Sequence, residues 1–154
     1  MYQPILALHS LVRWFVLVSL LYSIYRAYRG WLSGKTFSRF DNSLRQWTMT
    51  VAHIQLVIGL WLYLLSPIVD YFLHNFSEAV HLREIRFFGM EHITMMVIAI
   101  TLITIGSAKA KRKQMDSEKF KIMAVWFTIA LVIILTSIPW NFSPLVSRPY
   151  LRPF

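Results

Sequence analysis

The sequence predicts an all-α fold, a four-helix transmembrane bundle with short basic cytoplasmic loops and both termini outside. Three observations predict it. Of the 154 residues, 56% are hydrophobic and only 15% are charged, too apolar for a soluble domain whose surface must be largely polar. The apolar residues gather in four blocks, about 5–25, 47–65, 87–107 and 122–140. Each is close to the ~20 residues a helix needs to cross a ~30 Å hydrocarbon layer. The basic residues alternate between connections: eleven of the sixteen Lys and Arg fall in the first and third loops, the positive-inside pattern.

The first block has no basic start, carries Arg13 in its middle and offers no small-residue cleavage site before Tyr25 and Arg26. It reads as a retained membrane helix rather than a signal peptide. Gly30 and Gly34 are placed to stop it, and Asp41, Asn42 or Ser43 to cap the second helix. The loop between them holds Arg26, Arg29, Lys35, Arg39 and Arg45 against Asp41 alone. Pro67 ends the second helix. Ser77 is a plausible cap for "EAVHLREIRFF", which can run unbroken into the third helix and lie partly in the outer interface. The third loop, "KAKRKQMDSEKFK", is short and basic, and Asp116 or Ser117 can start the fourth helix. Four prolines in "SIPWNFSPLVSRPYLRPF" prevent a further helix, and Trp140, Phe142 and Tyr150 suit an interfacial anchor. The four spans with their short connections account for nearly the whole of 1–154, a single integral membrane domain.

The formal charge of +9 follows from this topology, so nucleic acid is not expected as a partner. The expected partners are the lipid bilayer and other membrane subunits. The chain has no cysteine, which excludes disulfides and thiolate metal sites. No phosphate loop, dinucleotide fingerprint or H-E-x-x-H motif is present.

Inside a bilayer the polar residues are the informative ones, because each must offset its desolvation. In the spans these are His9, Arg13, His53, Gln55, Glu91 and His92, with several Ser and Thr. At 1.5 Å per residue His9 lies about 7–8 Å below Pro4, Arg13 about 13–14 Å, and His92 about 9 Å below Arg86. His53 falls near the bilayer centre, about 18 Å from Leu65. His9 and His92 thus share a depth on the first and third helices, which can lie diagonally across a bundle, where two axial ligands of a sandwiched haem are needed. His9, Arg13, Val16, Leu20 and Ala27 share one helix face, and His92, Met96, Ala99 and Gly106 another.

Structural readings stand beside these. A membrane histidine such as His53 is commonly a hydrogen-bonded packing residue. Arg13 and Glu91 can form an ion pair that only staples two helices, Gln55 can donate between helices, and Met95 and Met96 suit a core. His74 and His81 fall in the outer loop and are expected to face solvent.

With "LHSLVRW" opening the first helix, "AHIQLVIGLWLY" in the second and "GMEHITMM" in the third, the chain resembles a small family of bacterial four-helix inner-membrane proteins. Their layout is similar to membrane cytochromes b. The likeness spans the whole chain in span count and these three motifs in residues. It implies a bacterial inner (plasma) membrane protein, multi-pass, with both termini periplasmic. It further implies a b-type haem on His9 and His92, Arg13 on a propionate and Glu91 as a proton carrier. His53 is left as alternative ligand or quinone contact, since three span histidines hold at most one bis-histidine haem. The implied function is electron transfer linked to the quinone pool, as a carrier or oxidoreductase subunit. The alternatives are a haem-free structural or accessory subunit of a larger membrane complex, and a proton- or metal-handling membrane protein using His9, His53, Glu91 and His92.

The charge pattern makes the topology testable. A reporter inserted near Lys113 should behave as cytoplasmic and one fused after Phe154 as periplasmic; the opposite pattern would overturn the orientation.

Overall fold

The computed structural model describes residues 2–140 and 146. Among these the regular structure is helical: α1 (Tyr2–Leu32), α2 (Arg39–Leu65), α3 (Pro67–His74), α4 (Phe76–Ala79), α5 (Arg83–Arg86), a π-helical turn (Phe87–Glu91), α6 (His92–Arg112) and α7 (Asp116–Ser137). Four helical stretches are long and apolar enough to cross a membrane: Tyr2–Leu32, Arg39–Leu65, Arg83–Arg112 and Asp116–Ser137. They correspond to the four apolar blocks but are mostly longer. Hydropathy marks the part of a helix suited to hydrocarbon, and hydrogen bonding carries the helix past it.

Helix ends depart from the sequence expectation where tertiary contacts intervene. α1 runs through Gly30, whose missing side chain admits Phe120: a Cβ there would lie 2.5 Å from that ring. Gly34 is the true stop, at φ +59°, and the Lys35 amide donates to Gly30 O across it at 3.0 Å. α2 is capped by Ser38 rather than by Asp41, Asn42 or Ser43. The Ser38 hydroxyl accepts from the Asp41 amide while the Asp41 carboxylate accepts from the Ser38 amide, a reciprocal capping box. Asp41 is 1% exposed and also takes Arg26 at 2.7 Å, which ties the first loop to α1.

Pro67 does not simply end α2; it opens α3, a site where its missing N–H costs nothing. Ser77 lies inside α4 rather than capping a helix, and the chain breaks before α5 begins at Arg83. From there Arg83–Arg112 runs as one stretch, with the π turn inside it. α7 begins at Asp116, as expected. Trp140 donates its indole N–H to Leu135 O at 2.8 Å and meets Trp14 edge-on, with 6.2 Å between rings. Phe142 and Tyr150, the other expected anchors, lie outside the described residues.

α1 packs chiefly on α2 and α7, and α6 on α7 and α2, so α1 and α6 stand diagonally opposite. Leu20, Ala27, Ile103, Phe120, Met123 and Phe127 fill the interior. Large apolar side chains also point outward, Phe15 on α1, Val57 and Leu64 on α2 and Val132 on α7 among them. Water disfavours such a surface and lipid suits it.

The α6–α7 seam depends on small residues. A Cβ on Gly106 would come within 2.5 Å of the Trp126 Cβ, an atom fixed to the α7 backbone. Gly106→Ala should therefore force the helices apart and cost about 1–3 kcal/mol, read as a lower unfolding temperature of the detergent-solubilised protein.

Candidate cofactor site

A cavity of about 340 Å³ opens among α1, α2, α6 and α7 at the end of the bundle opposite the basic loops. It is lined from Tyr2 to Val16 on α1, from Ala52 to Ser66 on α2 and from Phe88 to Ile100 along the π turn and α6. The α1 wall is about 21 Å long at 1.5 Å per residue. Its surfaces are mostly aliphatic, with Leu6, Leu56, Ile93, Met96, Ile134 and Ile138 among them. A few polar groups converge on it: His9, Arg13, Gln55, Tyr63 and His92. A largely apolar pocket with a few polar groups is the usual form of a small-molecule or cofactor site.

Each of these side chains is placed by its helix and by one partner. His9 lies against α2 where Gly59 has no side chain; a Cβ there would sit 3.1 Å from His9 Cε1. The Gln55 amide donates to His9 O at 2.9 Å and ties α2 to α1. The His9 Nδ1 and the Gln55 Oε1 are buried and have no hydrogen-bond partner among the described residues. A buried polar atom left so costs about 1–3 kcal/mol. Arg13 lies one turn further along α1, its guanidinium 5.4 Å from the Trp14 ring.

His92 reaches the cavity from α6. Its Nδ1 lies 2.8 Å from Ser137 O. A carbonyl can only accept, so Nδ1 carries the proton and Nε2 of the neutral ring keeps its lone pair. Phe87 and Phe88 flank the ring, with centroids 5.7 and 6.3 Å away. The π turn just before His92 is packed by Gly89 directly against Phe72 of α3. Tyr63 donates to Gly89 O at 2.8 Å, so a backbone carbonyl of the irregular turn is satisfied from α2.

The structure thus brings His9, Arg13 and His92 to one cavity and leaves two sequence candidates outside it. Glu91 is held by Arg86 at 2.6 Å, with its side chain a third exposed, and does not pair with Arg13. Glu91 and His92 are successive residues, about 100° apart around a helix axis, and so face different sides. His53 does not line the cavity; its Nε2 meets Thr104 Oγ1 at 3.1 Å between α2 and α6. Thr104 Oγ1 donates to Ile100 O, so His53 Nε2 is the donor of that bond, as in a packing histidine. Gln55 makes the interhelical bond expected of it, Met96 joins the cavity wall, and His74 and His81 are exposed.

Sequence reading missed Gly59 and Tyr63, because a glycine and a tyrosine in an apolar run give no signal until the facing helix is known. Arg45 was counted as a loop cation but is 3% exposed, bonded to Ser107 and Asn42. Among the described residues no group of three or more His, Cys, Asp or Glu converges to hold a metal ion. Comparison with protein-family models, with curated proteins and with solved structures gives no match.

The pairing of Glu91 separates two double-mutant cycles. Arg86→Gln with Glu91→Gln should show a coupling of about 0–1 kcal/mol, as for a partly exposed pair. Arg13→Met with Glu91→Gln should be additive within about 0.5 kcal/mol. Chemical unfolding in detergent reads both, and a larger Arg13–Glu91 coupling would contradict the observed pairing.

Proposed function

We propose that this is an integral membrane protein that holds a b-type haem between His9 and His92 and works in one-electron transfer linked to the quinone pool, as a carrier or oxidoreductase subunit. One observation carries the reading: two imidazoles reach a single apolar cavity from diagonally opposed helices, His9 Nδ1 with no hydrogen-bond partner among the described residues and His92 held through Nδ1 alone among them.

The residues present fit such a group. His92 has the tautomer of a metal-bound imidazole, with Nδ1–H on a backbone carbonyl and Nε2 available. His9 has a ring nitrogen buried without a partner among the described residues, and Gly59 gives its ring room. Arg13 supplies a cation in the same cavity that a propionate can meet through charge-assisted hydrogen bonds. When bound, the haem supplies reversible one-electron chemistry. The protein's own work is to orient the two rings, through Ser137 and Gly59, and to keep water away with Ile93, Ile134 and Ile138. The reading assigns no role at the cavity to Glu91 or His53.

A second reading places a quinone head group in this cavity. The length of the apolar walls and the Gln55 Oε1, an acceptor that a quinol hydroxyl would satisfy, favour it.

Reduced-minus-oxidised spectra of protein purified from haem-replete cells should show a b-type α band. His9→Ala and His92→Ala should each abolish it, and His53→Ala should leave it in place. A colourless wild-type protein that releases quinone on solvent extraction would favour the second reading; one that yields neither would move the assignment to a haem-free accessory subunit.

A further inference from the structure

At the basic end of the bundle, away from the histidine cavity, the first turn of α2 and the end of α6 enclose a cleft of about 460 Å³. Arg39, Asn42, Ser43, Lys111 and Lys119 line it together with Phe37, and no acidic residue does. The nearby carboxylates are taken: Asp41 by Arg26 and Ser38, and Asp116 by Lys119 at 3.2 Å. Among the described residues Arg39 and Lys111 make no ion pair.

Asn42, which lines the cleft, is held by a buried cation, Arg45. Arg45 is 3% exposed and has hydrogen bonds but no carboxylate among the described residues. Its Nε and Nη2 both donate to Asn42 Oδ1, at 3.3 and 2.9 Å. That bond consumes the only acceptor of the Asn42 amide and leaves its NH2 donors for the cleft. A buried cation without a counter-charge favours an anion nearby. The cleft therefore presents donors and positive charge over a buried positive charge.

We propose that this cleft binds the phosphate of an anionic glycerophospholipid. Two features point to a lipid rather than a free anion. The cleft lies where the helices pass from apolar surface to basic loop, at the end of α2 on which Phe40 and Trp47 are exposed. Phe37 and Ala110 give it an apolar wall, against which a glycerol and acyl chain can lie. Basic pockets at this level between membrane helices are suited to such head groups.

The test uses the full chain in detergent, with equimolar phosphatidylglycerol and phosphatidylcholine added and retained lipid read by native mass spectrometry. Phosphatidylglycerol should be retained preferentially. Arg39→Gln with Lys111→Gln should reduce that preference about thirtyfold, roughly fivefold for each charge. Both side chains are exposed, so unfolding temperature should hold, and Arg39→Gln alone gives the single-charge step. Lys35→Gln, outside the cleft, should change nothing. Equal retention of the two lipids, or a double variant with unchanged preference, would overturn the proposal. Displacement of phosphatidylglycerol by millimolar inorganic phosphate would reassign the cleft to a free anion and overturn the lipid assignment. None of these outcomes depends on haem.

Discussion

Satisfaction of polar groups without water is the constraint from which the rest of this structure follows. A helix satisfies its own backbone, so four long helices can present apolar surface outward. Several side chains that hydrogen-bond inside the bundle then act as ties between helices. Ser23 meets Thr48 at 2.7 Å, Gln55 meets the α1 backbone, and His53 meets Thr104. Even the one irregular turn in the long Arg83–Arg112 stretch follows the rule, since Tyr63 takes up the Gly89 carbonyl.

Against that background the exceptions carry the information. Among the described residues His9 Nδ1 and Gln55 Oε1 are buried without partners, in neighbouring residues on facing helices, and both residues line one cavity. A bundle selected only for stability has simple remedies, such as a Leu at either position. Keeping both costs stability and leaves a recess of about 340 Å³ between the helices. The proposed haem accounts for the unpaired imidazole, the oriented His92 and the cation of Arg13 together; a purely structural role for these residues accounts for none of the empty space.

The two ends of the bundle are built differently. The histidine end is closed by short helices, with Phe72 of α3 seated against Gly89 of the π turn that precedes His92. The basic end is held by ionic and hydrogen-bonded ties, Arg26 to Asp41 and Arg45 to Ser107, and opens on a donor-lined cleft. Redox or ligand chemistry is thus proposed at one end and lipid contact at the other, joined by the close-packed middle of Leu20, Ile103 and Phe127.

The sequence by itself determined the helical class, the four long apolar helices and the exposure of His74 and His81, because hydrocarbon length and apolar content are properties of composition and spacing. It also brought His9 and His92 to comparable positions along their helices, since helical rise is fixed. Only the tertiary structure decided which polar residues meet. Glu91 and His92 are adjacent in the chain, yet one meets Arg86 and the other lines the cavity. Arg45 is a loop charge by sequence but is bonded to Ser107 in the fold, and Gly59 gives no signal in the sequence although the His9 ring lies on it. Those pairings join residues tens of positions apart, and a helix's rotation about its own axis is fixed by the neighbours it packs on, which a single apolar block does not encode.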